Sequence, residues 1–335
     1  MTHSQLLEHL RENPFALAPM AGITDRPFRS FMRELGCGAV VSELVSSTGL
    51  RFSSQKTLKL MEFEPVQHPV GIQLFGENLE HLADAAAIVE QMGADFVDLN
   101  FGCPVPKVVN KGAGSACLKD LAVLRDVIRA AKSKISIPLT IKVRTGWDHN
   151  TRNTDQVARV AADEGVTWVA IHGRTRAAQY TGRADWDYIR EVKAGSPLPI
   201  LGNGDIASGE QARSRISETG CDGVMIGRGC LKNPRIFMQA RGRTDLDDVS
   251  LWTILSRLHV HLLTFYEQRM VLLQMRKFAS WYSAGYPGAA AFRKDLFTMA
   301  DSVAVLDRIE MFYSGLGTVR PADTSGEAFL MGGHG

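Results

Sequence analysis

Cysteine is scarce and unpaired in this sequence. The five residues Cys37, Cys103, Cys117, Cys221 and Cys230 are odd in number and show no CxxC or other metal-ligand spacing. That argues against a disulfide-stapled scaffold and a zinc centre, so no metal is expected and reduced thiols in a cytoplasmic chain are the simplest reading. Long apolar runs are missing too: nothing approaches the ~18 residues of a membrane span, and no membrane partner is expected. The first nineteen residues scatter leucines among Glu8, Arg11 and Glu12 and have no apolar core of a signal peptide. Charge of one sign is not in excess. The net charge of +2 neither supports nor excludes a polyanionic partner, which would need clustered basic residues. The turn after the first apolar run, Ala18-Pro-Met-Ala-Gly22, is not GxGxxG, so the fingerprint of a doubly wound dinucleotide fold is absent.

The 335 residues suit two domains, or one large barrel with an addition. To about residue 234 two textures alternate. Short apolar runs, many of them β-branched, are predicted as strands at 15–20, 39–42, 70–74, 96–100, 139–143, 168–172, 199–202 and 223–227. Between them lie helical periodicities at 25–35, 80–92, 121–131, 154–164, 186–192 and 208–218, with Thr24 as a candidate N-cap and Gly165 and Gly220 at C-terminal ends. Eight such units predict a TIM (β/α)8 barrel. Residues 241–249 read as a linker. Helical patterns at 251–270, 272–284, 289–299 and 303–312 predict a small C-terminal all-helical bundle. The boundaries expected are 1–240 for the barrel, 241–317 for the helical domain and 318–335 for a loose Gly-rich tail.

In such a barrel the chemistry sits at the C-terminal ends of the strands. Those ends carry Pro19, Met20 and Ala21, then Gln73, Asn100, Lys142 with Arg144, His172 with Arg174, Asn203-Gly204-Asp205, and Gly227-Arg228. The last two loops stand where barrels often hold a phosphate on free backbone N–H groups, though glycines also merely make tight turns. Lys142 lies inside an apolar strand, either snorkelling at its end or facing an anion. A flavin, which becomes negative on reduction, is one such anion; Gln73 would then meet its ring edge, and Asn203 and Asp205 its ribityl hydroxyls. Cys103 follows the fourth strand in Asn100-Phe-Gly-Cys-Pro104 and can act as a protonated general acid. Lys107, Arg144, Arg174 and Arg176 gather at the same mouth, and the helical region adds Arg276, Lys277 and Arg293. Each alone is a solvated charge; together they suggest a polyanionic substrate. Tyr180 and Trp186 offer stacking surfaces or rim packing.

The segments Ala18-Pro-Met-Ala-Gly-Ile-Thr-Asp-Arg-Pro-Phe-Arg29, Asp98-Leu-Asn-Phe-Gly-Cys-Pro-Val-Pro-Lys-Val108, Ile141-Lys-Val-Arg-Thr-Gly-Trp147, Ile171-His-Gly-Arg-Thr-Arg176 and Met225-Ile-Gly-Arg-Gly229 resemble the bacterial tRNA-dihydrouridine synthases, most closely their B-type branch. The resemblance runs over about residues 14 to 315. It implies bound FMN, NADPH as reductant, and reduction of the C5–C6 double bond of uridine in tRNA, with hydride from flavin N5 to C6. By position it implies that Pro19, Met20, Ala21, Gln73, Lys142 and His172 surround the flavin ring. Asn203, Gly204, Asp205, Gly227 and Arg228 would hold its ribityl phosphate, Asn100 would orient the uracil, and Cys103 would protonate C5. The helical domain would clasp tRNA, and a monomer is the family-like expectation. A free-pyrimidine FMN barrel of the dihydroorotate dehydrogenase kind, or an RNA-binding protein without catalysis, are the rivals. No motif encodes which tRNA uridine is modified.

Overall fold

The computed structural model describes residues 1–52, 54–317 and 319–324. The strands are β1 (Phe15–Leu17), β2 (Val40–Ser46), β3 (Val70–Phe75), β4 (Phe96–Phe101), β5 (Leu139–Arg144), β6 (Val169–His172), β7 (Ile200–Asn203) and β8 (Gly223–Ile226). They form one parallel sheet in the order β1-β8-β7-β6-β5-β4-β3-β2. The ring closes through a parallel bridge between Ala16 and Ala39, with the Leu17 N–H donating to the Ala39 carbonyl at 2.9 Å. All eight predicted strands are present, with altered ends. β1 stops at Leu17, because Pro19 has no N–H for a ladder. β2 continues to Ser46 past an irregularity between Val41 and Leu44.

Alternate residues point into the barrel. Its lower interior is apolar: Ala16, Ala39, Val41, Phe96, Trp168, Ala170, Leu201 and Met225 pack together with Leu6 and Leu10. Those two leucines come from helix His3–Glu12, to which the sequence reading assigned no structure. It is capped reciprocally by Thr2 and Gln5, and it closes the end of the barrel away from the site. Gly71 faces the Phe96 ring across β3 and β4; a Cβ at that glycine would lie 2.1 Å from a ring carbon. Phe96 in turn meets Trp168 edge-on at 5.4 Å.

The helix after β1, Arg26–Glu34, is capped by Asp25 rather than Thr24. The Asp25 carboxylate accepts the Phe28 N–H at 3.0 Å. The Thr24 hydroxyl instead accepts the Met20 N–H at 3.0 Å and braces the loop that leads into the site. Helices Leu251–Leu263, Gln268–Tyr282, Ala289–Thr298 and Ser302–Gly315 form the C-terminal region. The first ends at Leu263, not at residue 270, because the chain turns there to dock. Phe265 lies under the Arg26 guanidinium at 4.4 Å, and the Tyr266 hydroxyl donates to Asp25 at 2.7 Å. Phe278 stacks on Phe28 at 5.0 Å, so the helical region rests on the helix beside the barrel mouth. Of the tail, Ala322 N–H donates to the Gly285 carbonyl at 2.9 Å. Residues 318 and 325–335 lie outside the described residues. Among those described, no helix is long and apolar enough to cross a membrane.

The Gly71 contact generates a stability prediction. Gly71→Ala forces Phe96 off its seat against Trp168 and should cost about 1–3 kcal/mol by overpacking, read as a lower denaturant midpoint. An unchanged midpoint would show that the interior layer yields freely.

Candidate active site

At the C-terminal ends of the strands the barrel opens into a cavity of about 1420 Å³. Pro19, Met20, Ala21, Gln73, Lys142, His172, Asn203, Gly204, Asp205, Gly227 and Arg228 all line it, as do Asn100, Cys103, Arg144 and Arg174. The other candidates do not. Lys107 is exposed on the turn after Cys103. Arg176 lies over the Trp147 ring at 4.3 Å. In the helical region Arg276 donates to the Met299 carbonyl, Arg293 to the Ser283 hydroxyl at 3.2 Å, and Lys277 to the Gly22 carbonyl at 3.1 Å. Burial lowers the Lys277 pKa against the opposing pull of Asp25 and Glu43, so this lysine is part of a seam between helix and barrel loop. Asp98, Arg215 and Lys232 escaped the sequence reading. The signal for Asp98 was an acid between Val97 and Leu99 in an apolar run; the other two, in helical stretches after β7 and β8, gave none.

One wall is a hydrogen-bonded chain. Gln73 Nε2 donates to Asp98 Oδ2 at 2.7 Å, and Asn100 Nδ2 donates to Gln73 Oε1 at 2.9 Å. Asn100 Oδ1 accepts the N–H groups of Gly102 at 3.2 Å and Cys103 at 2.8 Å. The Cys103 carbonyl accepts the Ser115 hydroxyl at 2.8 Å, which fixes the far side of the turn. Cys103 alone among the five cysteines is not fully buried. Partial burial raises its pKa, opposed by the Val105 N–H and by Arg144, so at neutral pH it is a protonated thiol.

The adjoining wall, from β5 round to β8, is cationic. Lys142 Nζ donates to Asn203 Oδ1 at 3.0 Å, and Asn203 Nδ2 donates to the Met225 carbonyl at 2.8 Å, which sets that amide's orientation. Desolvation, with Arg144 nearby, lowers the Lys142 pKa to about 8 although Asp98 acts the other way. His172 is held well below the ordinary histidine range by burial and by Lys142, Arg144, Arg174 and Arg228, so its ring is neutral. Two of these arginines are structural clamps. Arg144 donates to the carbonyls of Gly102 (2.9 Å), Thr175 (3.0 Å) and Gln179 (2.6 Å). Arg174 reaches the carbonyls of Thr181 and Gly182 and pairs with Asp205 at 2.7 Å. Asp205 also accepts the Ala184 N–H at 2.7 Å, while Arg228 stands 3.6 Å from it and 4.8 Å above the Tyr180 ring. Tyr180 is 43% exposed at the rim. The cavity thus has a surplus of positive charge and fits an anionic ligand. Among the described residues no group of three or more His, Cys, Asp or Glu side chains stands where it could hold a metal ion.

A family model described as dihydrouridine synthase matches residues 16–314. The chain belongs to this family. It is 40% identical over 309 residues to tRNA-dihydrouridine synthase B of Pseudomonas syringae pv. tomato, covering 90% of this chain and 92% of that one. Against tRNA-dihydrouridine synthase B of Pseudomonas putida it is 38% identical over 325 residues, covering 94% and 95%. A probable tRNA-dihydrouridine synthase of Rickettsia conorii is 36% identical over 310 residues, covering 90% and 93%. Among solved structures, a 6-hydroxypseudooxynicotine amine oxidase from Pseudomonas geniculata N1 superposes with a TM-score of 0.55 at 14% identity, over 70% of this chain and 49% of that one. A 2-naphthoyl-CoA reductase superposes with a TM-score of 0.54 at 14% identity, over 71% and 51%. These two share the barrel fold, and this chain spans about half of each.

Lys142 gives a pH prediction. Its folded pKa of about 8 lies below the ordinary lysine value, so its charge opposes folding at pH values well below 8, and that cost disappears as pH rises from about 8 toward the unfolded value. Lys142→Met should therefore stabilise the ligand-free protein at pH 7 by roughly 1–3 kcal/mol. The difference should shrink toward pH 10, followed by thermal melts. A variant less stable than wild type at pH 7 would contradict this.

Proposed function

We propose that this protein reduces the C5–C6 double bond of uridine in tRNA to 5,6-dihydrouridine, with FMN held in the barrel mouth and NADPH as its reductant. The chemistry a reduced flavin would supply there is hydride for uracil C6. Cys103 supplies the proton to C5, and Asn100, through its free amide N–H, meets the uracil edge. Gln73 and the neutral His172 would hold the isoalloxazine, and Lys142 would lend it a charge that favours its reduced, anionic form. Asn203, Gly204, Asp205, Gly227 and Arg228 would hold the ribityl phosphate, with Pro19, Met20 and Ala21 offering backbone. The observation that carries the reading is a protonated thiol beside a cationic stretch of the same cavity wall, in a chain of this family. Residues 1–240 would form the catalytic barrel and 241–317 the helical domain that presents tRNA, acting as a cytoplasmic monomer. A uridine must leave its stack to reach the cavity floor.

Cys103→Ala decides the acid assignment. The purified variant should remain yellow and still be reduced by NADPH. Dihydrouridine formation on tRNA transcripts, read by mass spectrometry, should fall about 10²–10⁴-fold, the usual contribution of a general acid. Full activity in the variant would remove Cys103 from the mechanism. Turnover of free uracil or orotate with none on tRNA would replace tRNA as the substrate.

A further inference from the structure

Asp98 is fully buried in the middle of β4. A carboxylate there is costly unless its oxygens are bonded. Both are: Oδ1 accepts the Thr140 hydroxyl at 2.6 Å and Oδ2 accepts Gln73 Nε2 at 2.7 Å. The three residues are register partners, Gln73 with Asp98 and Asp98 with Thr140, so they form one row across β3, β4 and β5. The next inward-facing row up the barrel holds Asn100 beside Lys142. Burial raises the Asp98 pKa, and the bonds from Gln73 and Thr140 and the charge of Lys142 work against it.

A glutamine amide has two unlike ends and can turn over, whereas a carboxylate only accepts. Asp98 therefore holds the Gln73 amino group and leaves its oxygen for Asn100 Nδ2. With its amino group so engaged, Asn100 presents its oxygen to the Gly102 and Cys103 N–H groups. If Gln73 turned over, its amino group would meet that of Asn100, and the Cys103 turn would lose its acceptor. We propose that Asp98 is a positioning residue that sets the direction of this whole chain and thereby the pose of the Cys103 thiol. The inference rests on the reading of Cys103 as the acid, and its test separates the two.

Asparagine at 98 can still accept from Gln73 while giving its own amino group to the Thr140 oxygen, whose hydroxyl then turns to the Val97 carbonyl, 3.4 Å away. Asp98→Asn should thus lose less than about threefold in kcat, whereas Asp98→Val and the double variant Asp98→Asn/Thr140→Val should lose about 10–100-fold with KM for tRNA moving less than about threefold. Thr140→Val alone should stay near wild type. Independently of turnover, the alkylation rate of Cys103 by iodoacetamide, read by peptide mass spectrometry, should change more than about fivefold in the two impaired variants only. If Asp98→Val does not fold, the pair of Asp98→Asn variants with and without Thr140 decides. Equal losses in Asp98→Asn and Asp98→Val would make the charge, not the acceptor, the determinant. Unchanged kcat and alkylation in the double variant would overturn the proposal. If Cys103→Ala stays active, the acid reading fails while the alkylation series still judges Asp98.

Discussion

The register of three neighbouring strands governs the site. β3 sets Gln73 beside Asp98, and β4 sets Asp98 beside Thr140 and Asn100 beside Lys142. A slip of one residue in β4 would turn Asp98 and Asn100 out of the barrel and bring Val97, Leu99 and Phe101 in. That slip is opposed from below. Phe96 fills the space left by Gly71 and abuts Trp168, and both lie over the leucines of the N-terminal helix. The apolar lower half of the barrel thus fixes the height at which the polar upper half begins.

Above that floor, electrostatics divides the arginines into two kinds of work. Arg144 and Arg174 carry charge, yet they bond mainly the carbonyls of the loops at 102, 175, 179, 181 and 182, and Arg174 also bonds Asp205. They fold the mouth's own loops into place and add to the field that keeps His172 neutral. Lys142 is different. Among the described residues its hydrogen bond is to a neutral amide, which leaves its charge available to a ligand. The helical region reaches the same mouth indirectly: Tyr266 holds Asp25 and Lys277 holds the Gly22 carbonyl, next to the loop whose residues 18–21 line the cavity.

Much of the fold was legible because the strands are short apolar runs and several helices end in a readable signal, such as Gly165 and Gly220 at positive φ of 72° and 70°. The ring of polar strand ends was legible for the same reason: parity along a strand decides which face a residue takes. Tertiary partners were not. The pattern 251–270 keeps its apolar spacing through Phe265 and Tyr266, and only their docking onto Arg26 and Asp25 ends the helix at Leu263. Arg174 and Arg144 read as free cations because the loops they bind are far along the chain or have no sequence signature. Asp98 has no local signature of its role because its partners, Gln73 and Thr140, come from two other strands.

The chemistry of a thiol acid places opposing demands on one turn. The group must keep its proton until transfer, then leave a tolerable anion. Partial burial serves the first demand by raising the Cys103 pKa. The Val105 N–H and the charge of Arg144 serve the second, since both favour the thiolate. Arg144 can do so only because it is anchored to the Gly102 carbonyl, and Val105 only because Asn100 and Ser115 shape the turn between them. A more exposed thiol would ionise more readily, and one without the N–H would hold its proton more tightly. In the proposed reaction, the hydrogen bonds that orient Cys103 are therefore also the ones that tune it.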